Sequence, residues 1–233
     1  MTLSIVLPAY NESATIGGLV KDLKRALTAN GDSFEIVVVD NGSTDNSKEV
    51  LGELAKNIPE LKIVSVFPNR GLGNGILQGL KEARGEILGW MPGDGQVTAE
   101  DLVNVHRMIC RGDYALCKGS RTRRNDAFFR LVQSRVFNTL FHFLFGVRSK
   151  DVNGTPKLFT RALYDRLDLA SMDWFIDAEL LIKAHKLKVS FHEISMAGQF
   201  RGGGASKVRI PTVFEFLSNM MKYQFGRYET KES

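Results

Sequence analysis

Cysteine is scarce in this chain of 233 residues. Cys110 and Cys117 are the only two, seven apart, with neither a C-x-x-C pair nor a zinc-ligand spacing. That excludes a disulfide framework and a cysteine zinc site. It predicts two buried thiols in a reducing compartment. The four histidines, His106, His142, His185 and His192, show no ligand spacing and read as structural. No segment reaches the ~18–20 uninterrupted apolar residues of a bilayer span. A strand pattern starts at Leu3 with no basic segment before it, so no secretory signal is expected. The chain is expected to be soluble or to rest on a membrane. An aromatic-interleaved basic sheet motif is also missing, which argues against a nucleic-acid partner.

What is present is enough apolar material, 43%, for a sizeable core in one large domain, or one domain with an appendage. The net charge of +5 hides a division: residues 1–100 carry −4 and residues 101–233 carry +9. An acidic first half joined to a basic second half predicts that the second half meets another anion. Phenylalanine follows the same division. Of 15, 13 lie beyond residue 127, six of them from Phe128 to Phe145.

The first 120 residues alternate β-branched runs and amphipathic stretches at the spacing of βα units. Strands are predicted at Leu3–Leu7, Phe34–Val39, Ile63–Val66, Gly85–Met91 and Tyr114–Lys118, and they read as buried parallel strands. Helices are predicted near Ser13–Ala29, Asp45–Asn57, Leu72–Ala83 and Ala99–Arg111. Ser43 or Thr44 is expected to cap the second, and Thr98 with Asp101 forms a capping-box pattern before the fourth. A phenylalanine-rich helix follows near Ala127–Phe145, then a strand at Lys157–Phe159, a helix at Ile176–His185, and a strand at Lys188–Ile194. Beyond a glycine-rich loop, a last amphipathic helix follows Pro211.

Three of the predicted strands end in acidic turns: Pro8-Ala9-Tyr10-Asn11-Glu12, Asp40-Asn41-Gly42-Ser43, and Gly93-Asp94-Gly95-Gln96. Ligands of open parallel sheets bind beyond the carboxyl ends of the strands, so the three turns predict one nucleotide-and-metal site. A capped turn explains the Asp40 segment equally well; the functional reading has its carboxylate accept N–H donors from a nucleobase. Tyr10 offers a stacking face beside Glu12. Asp94 and Gln96 are hard oxygen ligands suited to Mg²⁺ or Mn²⁺, although Pro-Gly-Asp-Gly is also ordinary turn chemistry. Gly71-Leu72-Gly73-Asn74-Gly75 is not the dinucleotide fingerprint and follows the wrong strand, but it would let a helix start approach a ligand closely. Arg121, Arg130, Ser134, Arg135, Arg201 and Lys207 make up a cationic side. Arg130 and Ser134, four apart, share a helix face suited to phosphate.

In that order these motifs resemble the inverting glycosyltransferases of family 2, nearest the dolichol-phosphate mannose synthase-like branch that makes polyprenyl-phosphate sugars. The likeness covers about residues 3–210 and includes Arg70-Gly71-Leu72-Gly73, Gly119-Ser120-Arg121, Asn138, Asp151-Val152-Asn153-Gly154 and Arg201 through Lys207. It implies an α/β fold of the GT-A type: a Rossmann-like, mostly parallel sheet with helices on both faces, followed by C-terminal amphipathic helices. The domain would span 1–210, with a helix and tail at 211–233.

The resemblance further implies that Pro8, Ala9, Tyr10, Glu12, Asp40, Gly93, Asp94 and Lys207 bind the nucleotide sugar, GDP-mannose or a UDP-sugar. Asp94 and Gln96 would hold Mg²⁺ or Mn²⁺. Asp94, Arg121, Arg130, Ser134 and Arg201 would serve transfer to a polyprenyl or dolichyl phosphate. Glu179 matches an acid that related enzymes place near the acceptor. The protein would work peripherally on the cytoplasmic face of a membrane, a setting that admits a small membrane-protein partner. Two departures stand out. Pro92 replaces the first acid of the family's Asp-x-Asp, and Asn41 replaces the second acid of its Asp-Asp pair. The chain also lacks the Gln-x-x-Arg-Trp of processive synthases. Two other readings stay open: a family 2 transferase acting on a soluble glycan or protein, and, from the loss of the acid at Pro92, a sugar-nucleotide-binding protein without catalysis.

Overall fold

The computed structural model describes residues 2–121, 138–196 and 218–225. Seven strands form one sheet: β1 (Thr2–Ala9), β2 (Ser33–Asp40), β3 (Leu61–Ser65), β4 (Ile87–Trp90), β5 (Leu116–Arg121), β6 (Lys157–Thr160) and β7 (His192–Met196). Their order is β3-β2-β1-β4-β6-β5-β7. β6 is antiparallel to β4 and β5; every other pairing is parallel. The sheet is therefore the mostly parallel α/β architecture expected.

β1 is buried on both faces. Leu3, Ile5, Leu7 and Ala9 join one core with α1 (Ile16–Ala29), α2 (Ser47–Ala55) and α4 (Ala99–Ile109). Val6, between them, faces the other core with α3 (Leu72–Glu82). The helical residues 138–145 (α5), together with α6 (Arg161–Leu167) and α7 (Ile176–Lys186), fill out that second side. Alternating side chains reach opposite faces, so a continuous apolar run is what a strand sandwiched between two helical layers requires.

The Thr98–Asp101 capping box is present: Asp101 N donates to Thr98 Oγ1 (3.0 Å) and Thr98 N to Asp101 Oδ2 (3.1 Å). Four expectations need correction. The N-cap of α2 is Asn46, because Ser43 and Thr44 instead meet Asn11 across the crevice. β7 starts later than predicted, at His192, where its pairing with Cys117 begins. The short helix α6 was not foreseen; Thr160 caps it by accepting from Leu163 N (3.3 Å). Cys117 is buried as expected, and burial pushes its thiol up to about 11, but Cys110 is exposed at the end of α4. The expected domain boundary near residue 210 lies outside the described residues. Helical residues 218–224 pack on the body through buried Met220 and through Tyr223, whose ring meets Phe145 and Phe175. Among the described residues no helix is long and apolar enough to cross a membrane.

Candidate active site

The strand order reverses direction at β1. The chain moves outward through β2 and β3, then returns over α3 to place β4 on the other side of β1. Such a switch point opens a crevice at the carboxyl ends of the strands. Two of the predicted turns close on the third here. Asn41 N donates to Ala9 O (2.8 Å), and Gly93 N reaches Pro8 O (3.3 Å) from the opposite side. Pro8 and Ala9 are thus bracketed by the Asp40 and Asp94 turns, roughly two inter-strand spacings or about 10 Å apart.

Asp40 ends β2, and Ala9 is its direct partner across β1. It is 5% exposed, and its Oδ1 accepts from Ser43 N at 3.0 Å. That bond builds the Asn41-Gly42 turn. Oδ2 has no hydrogen-bond partner among the described residues. Asn11 fastens this turn to the one after β1. It adopts φ 54°, a left-handed conformation that asparagine tolerates. Its Oδ1 accepts from Thr44 N (2.8 Å) and Asp45 N (3.3 Å), and its own N–H donates to Ser43 Oγ (3.1 Å). Asp45 in turn accepts from Ser47 N (3.0 Å) and Ser13 N (3.1 Å). Burial pushes its carboxyl up, but the Ser47 and Ser13 bonds outweigh it and hold the pKa at about 2. Tyr10 is 38% exposed at this edge. Glu12 Oε2 accepts from Thr15 Oγ1 (3.2 Å), and Glu12 N donates to Ser47 Oγ (3.0 Å).

Asp94 is half-buried and forms a compact turn: its Oδ1 accepts from Gln96 N (3.1 Å) and its Oδ2 from Gln96 Nε2 (3.0 Å). The Gln96 amide therefore turns its nitrogen toward the carboxylate. The donor chemistry at this turn is one carboxylate and one amide oxygen, without sulfur or imidazole. Among the described residues no group of three or more His, Cys, Asp or Glu forms a metal cage. That set fits Mg²⁺ or Mn²⁺, which bind through few protein oxygens when a diphosphate supplies the rest. It does not fit a closed structural site.

Arg121 ends β5 at the same edge. Its Nε donates to Asp151 Oδ2 (2.8 Å) and its Nη2 to Asp151 Oδ1 (3.3 Å), a two-point ion pair with a buried carboxylate. Arg130, Ser134, Arg135, Arg201 and Lys207 lie outside the described residues. The glycines at the head of α3 have a different use from the one expected. A Cβ on Gly71, at φ 108°, would come within 2.5 Å of Met172 O, and one on Gly73 within 2.1 Å of Ser171 O. Asn74 N donates to Met172 O (2.8 Å). The close approach is therefore made by the protein's own 171–173 segment. Glu179 is buried beneath that segment, accepting from Ala170 N (3.1 Å) and Ser171 N (2.8 Å) and pairing with Lys183 (2.8 Å). Its carboxylate holds the loop.

A row of residues that sequence reasoning missed lies just below the edge. Trp90, Lys157, Lys118 and Glu193 are successive direct partners across β4, β6, β5 and β7. Both lysines are fully buried, and like charges directly opposite oppose each other. Each has a carboxylate: Lys157 Nζ lies 2.5 Å from Asp177 Oδ1, and Lys118 Nζ lies 2.9 Å from Glu193 Oε1. Burial pulls the Lys157 ammonium down to about 8 even though Asp177 opposes this. Burial would raise the Glu193 carboxyl, but Lys118, Ser149 and Lys150 N–H hold it below its usual range. Trp90 Nε1 donates to Asp177 (3.1 Å), and Lys118 also donates to Asp151 O (2.6 Å). The row thereby links the strand of Asp94 to the residue that pairs with Arg121. A lysine in the register of a buried strand was the one available signal.

Residues 4–169 match Glycosyl transferase family 2, and the chain belongs to that family. It is a glycosyltransferase. The dolichyl-phosphate β-glucosyltransferase of Saccharomyces cerevisiae is 29% identical over 254 residues, covering 97% of this chain and 76% of that protein. The dodecaprenyl-phosphate galacturonate synthase of Rhizobium johnstonii is 26% identical over 238 residues, covering 99% and 69%. The undecaprenyl-phosphate 4-deoxy-4-formamido-L-arabinose transferase of Edwardsiella ictaluri is 33% identical over 140 residues, covering 59% of this chain and 42% of that protein. Among solved structures, glucosyl-3-phosphoglycerate synthase from Mycobacterium tuberculosis, in complex with Mn²⁺, UDP and phosphoglyceric acid, aligns with a TM-score of 0.76 at 18% identity. That alignment covers 100% of this chain and 80% of the other, and the shared fold is GT-A.

Proposed function

We propose that the chain transfers a sugar, with inversion, from a GDP- or UDP-sugar to a polyprenyl phosphate on the cytoplasmic face of a membrane. The observation that carries this reading is the convergence of the Asp40 and Asp94 turns on Pro8 and Ala9 at the switch point. Relatives named as polyprenyl-phosphate sugar transferases support the acceptor class.

In this reading Asp40 accepts from the nucleobase while Tyr10 and Glu12 border the nucleoside. Asp94 and Gln96 would hold Mg²⁺ or Mn²⁺, which when bound offsets negative charge on the diphosphate. An acceptor phosphate oxygen attacks the anomeric carbon from the face opposite the diphosphate. The new C–O bond forms as the old one breaks, and the electron pair leaves with the nucleoside diphosphate. The acceptor is already an anion, so no strong base is needed. Arg121, Arg130, Ser134 and Arg201 gather the phosphate charges, and preorganised cations of this kind stabilise the charge that develops on the leaving group. Lys207 would contribute to binding the nucleotide sugar.

Incubation with a panel of GDP- and UDP-sugars, Mn²⁺ and a polyprenyl phosphate, with mass spectrometry of the organic phase, tests the proposal. One donor should yield a lipid-linked sugar of inverted anomeric configuration. Transfer only to water-soluble acceptors would overturn the lipid assignment.

A further inference from the structure

Trp174 is 37% exposed and makes no hydrogen bond or ring contact among the described residues. The other tryptophan, Trp90, is buried, with its indole N–H on Asp177 and its ring edge-on to Phe159. Buried indoles normally find such partners; Trp174 instead keeps a large apolar face open to solvent, and its position shows what that face can meet.

That position is the edge of the crevice. β7 runs parallel to β5, so α7, which precedes it, must begin at the carboxyl end of the sheet. Trp174 sits two residues before α7. The adjoining Asp173 backbone lies against the glycine head of α3: a Cβ on Gly73 would come within 2.7 Å of Asp173 O. The mount is rigid. Phe175 is fully buried, its N–H donates to Asp173 Oδ1 (2.8 Å), and Asn219 Nδ2 donates to Asp173 Oδ2 (2.6 Å). Glu179 fixes Ala170 and Ser171 behind it.

The neighbouring chemistry favours a hydrocarbon over a sugar ring. Of the nearby polar side chains, Asp173, Asn219, Glu179 and Lys183 are engaged with one another or with backbone N–H groups, and the unpartnered Ser171 hydroxyl is fully buried behind the segment, out of reach of a surface ligand. A sugar's hydroxyls would compete for partners already taken, and hydroxyls covered without partners are costly. An isoprenoid asks for none. The helical stretch that Asn219 fastens here also exposes Met221, and Phe225 just past its end, whose N–H donates to Met221 O, is exposed beside it.

We infer that Trp174 is the platform on which the isoprenoid chain of the acceptor lies as its phosphate enters the site. The inference rests on the polyprenyl-phosphate reading above. Burying hydrocarbon on an indole face contributes in proportion to the area covered, so the effect should grow with chain length.

With one buried and one exposed tryptophan, intrinsic fluorescence isolates the contact. Titration with farnesyl phosphate below its micellar concentration should shift the emission of the wild type to the blue. Inorganic phosphate and nucleoside diphosphate with Mn²⁺ should not, and Trp174→Phe should lose most of the shift. In turnover, Trp174→Ala should raise the KM for long polyprenyl phosphates about ten- to a hundredfold and leave the KM for the sugar nucleotide unchanged. A wild type active on polyprenyl phosphates whose Trp174→Ala variant keeps the parental acceptor KM overturns the platform alone. A wild type that transfers to no polyprenyl phosphate overturns the acceptor reading and the platform together. A blue shift produced by the sugar nucleotide instead would assign Trp174 to the donor.

Discussion

Lys157 Nζ lies 2.5 Å from Asp177 Oδ1, and the lysine is sealed from solvent between β4 and β5. Removing one member of a buried pair leaves an uncompensated charge and typically costs about 3–5 kcal/mol. Lys157→Met should therefore lower the unfolding free energy in urea by about that amount. Adding Asp177→Asn should recover part of it, because the stranded carboxylate is then gone. A Lys157→Met loss within about 0.5 kcal/mol, the usual range of an inconsequential surface change, would show that the pair does not stabilise the fold.

Asn11 holds two site turns together with one side chain and a left-handed backbone. Asn11→Ala forfeits the bonds to Thr44 and Asp45 and adopts that conformation at a cost. The expected loss is about 1–3 kcal/mol, with a several-fold rise in donor KM. Unchanged nucleotide binding by calorimetry would separate the turn from the nucleotide site.

Asp45 gives the acid limb of stability a specific contributor. Its folded pKa of about 2 lies below the ordinary 3.8. Its contribution is therefore fully present above pH 3.8 and is lost as the pH falls toward 2. Asp45→Asn should flatten the dependence of stability on pH within that window. An identical slope in the two proteins would contradict this assignment.

Arg130→Ala, on the cationic side, should lose a charge-assisted contact of about 1.5–3 kcal/mol, a ten- to a hundredfold loss in acceptor use. Parental kinetics on a polyprenyl phosphate would remove Arg130 from the acceptor site.

The parallel β1–β4 frame was legible because each strand is a short apolar run and each helix carries a strong stripe. The turns that follow Leu7, Val39 and Met91 were legible for the same reason: the strand ends fix where they fall. The buried row was not. Lysine reads as a surface residue, and the partners that make it tolerable are remote in sequence, Lys157 to Asp177 by 20 positions and Trp90 to Asp177 by 87. Nor did the pattern distinguish a glycine that admits a ligand from one that admits the chain itself, as at Gly71 and Gly73. The resemblance matches Glu179 to an acid near the acceptor; what no sequence pattern shows is that its carboxylate accepts from Ala170 N and Ser171 N and so holds a loop. The cap of α2 was misplaced because Ser43 and Thr44 satisfy a neighbouring turn across the crevice rather than their own helix.

In the proposed reaction the Asp40 and Asp94 turns grip one nucleoside diphosphate. Calorimetry of GDP and UDP, with Mn²⁺ and with chelator, on the wild type, Asp40→Ala and Asp94→Ala tests it most directly. One nucleotide should bind the wild type more tightly with Mn²⁺, Asp94→Ala should lose the metal dependence, and Asp40→Ala should weaken binding in both conditions. Binding that neither substitution alters would place the nucleotide elsewhere and contradict the account.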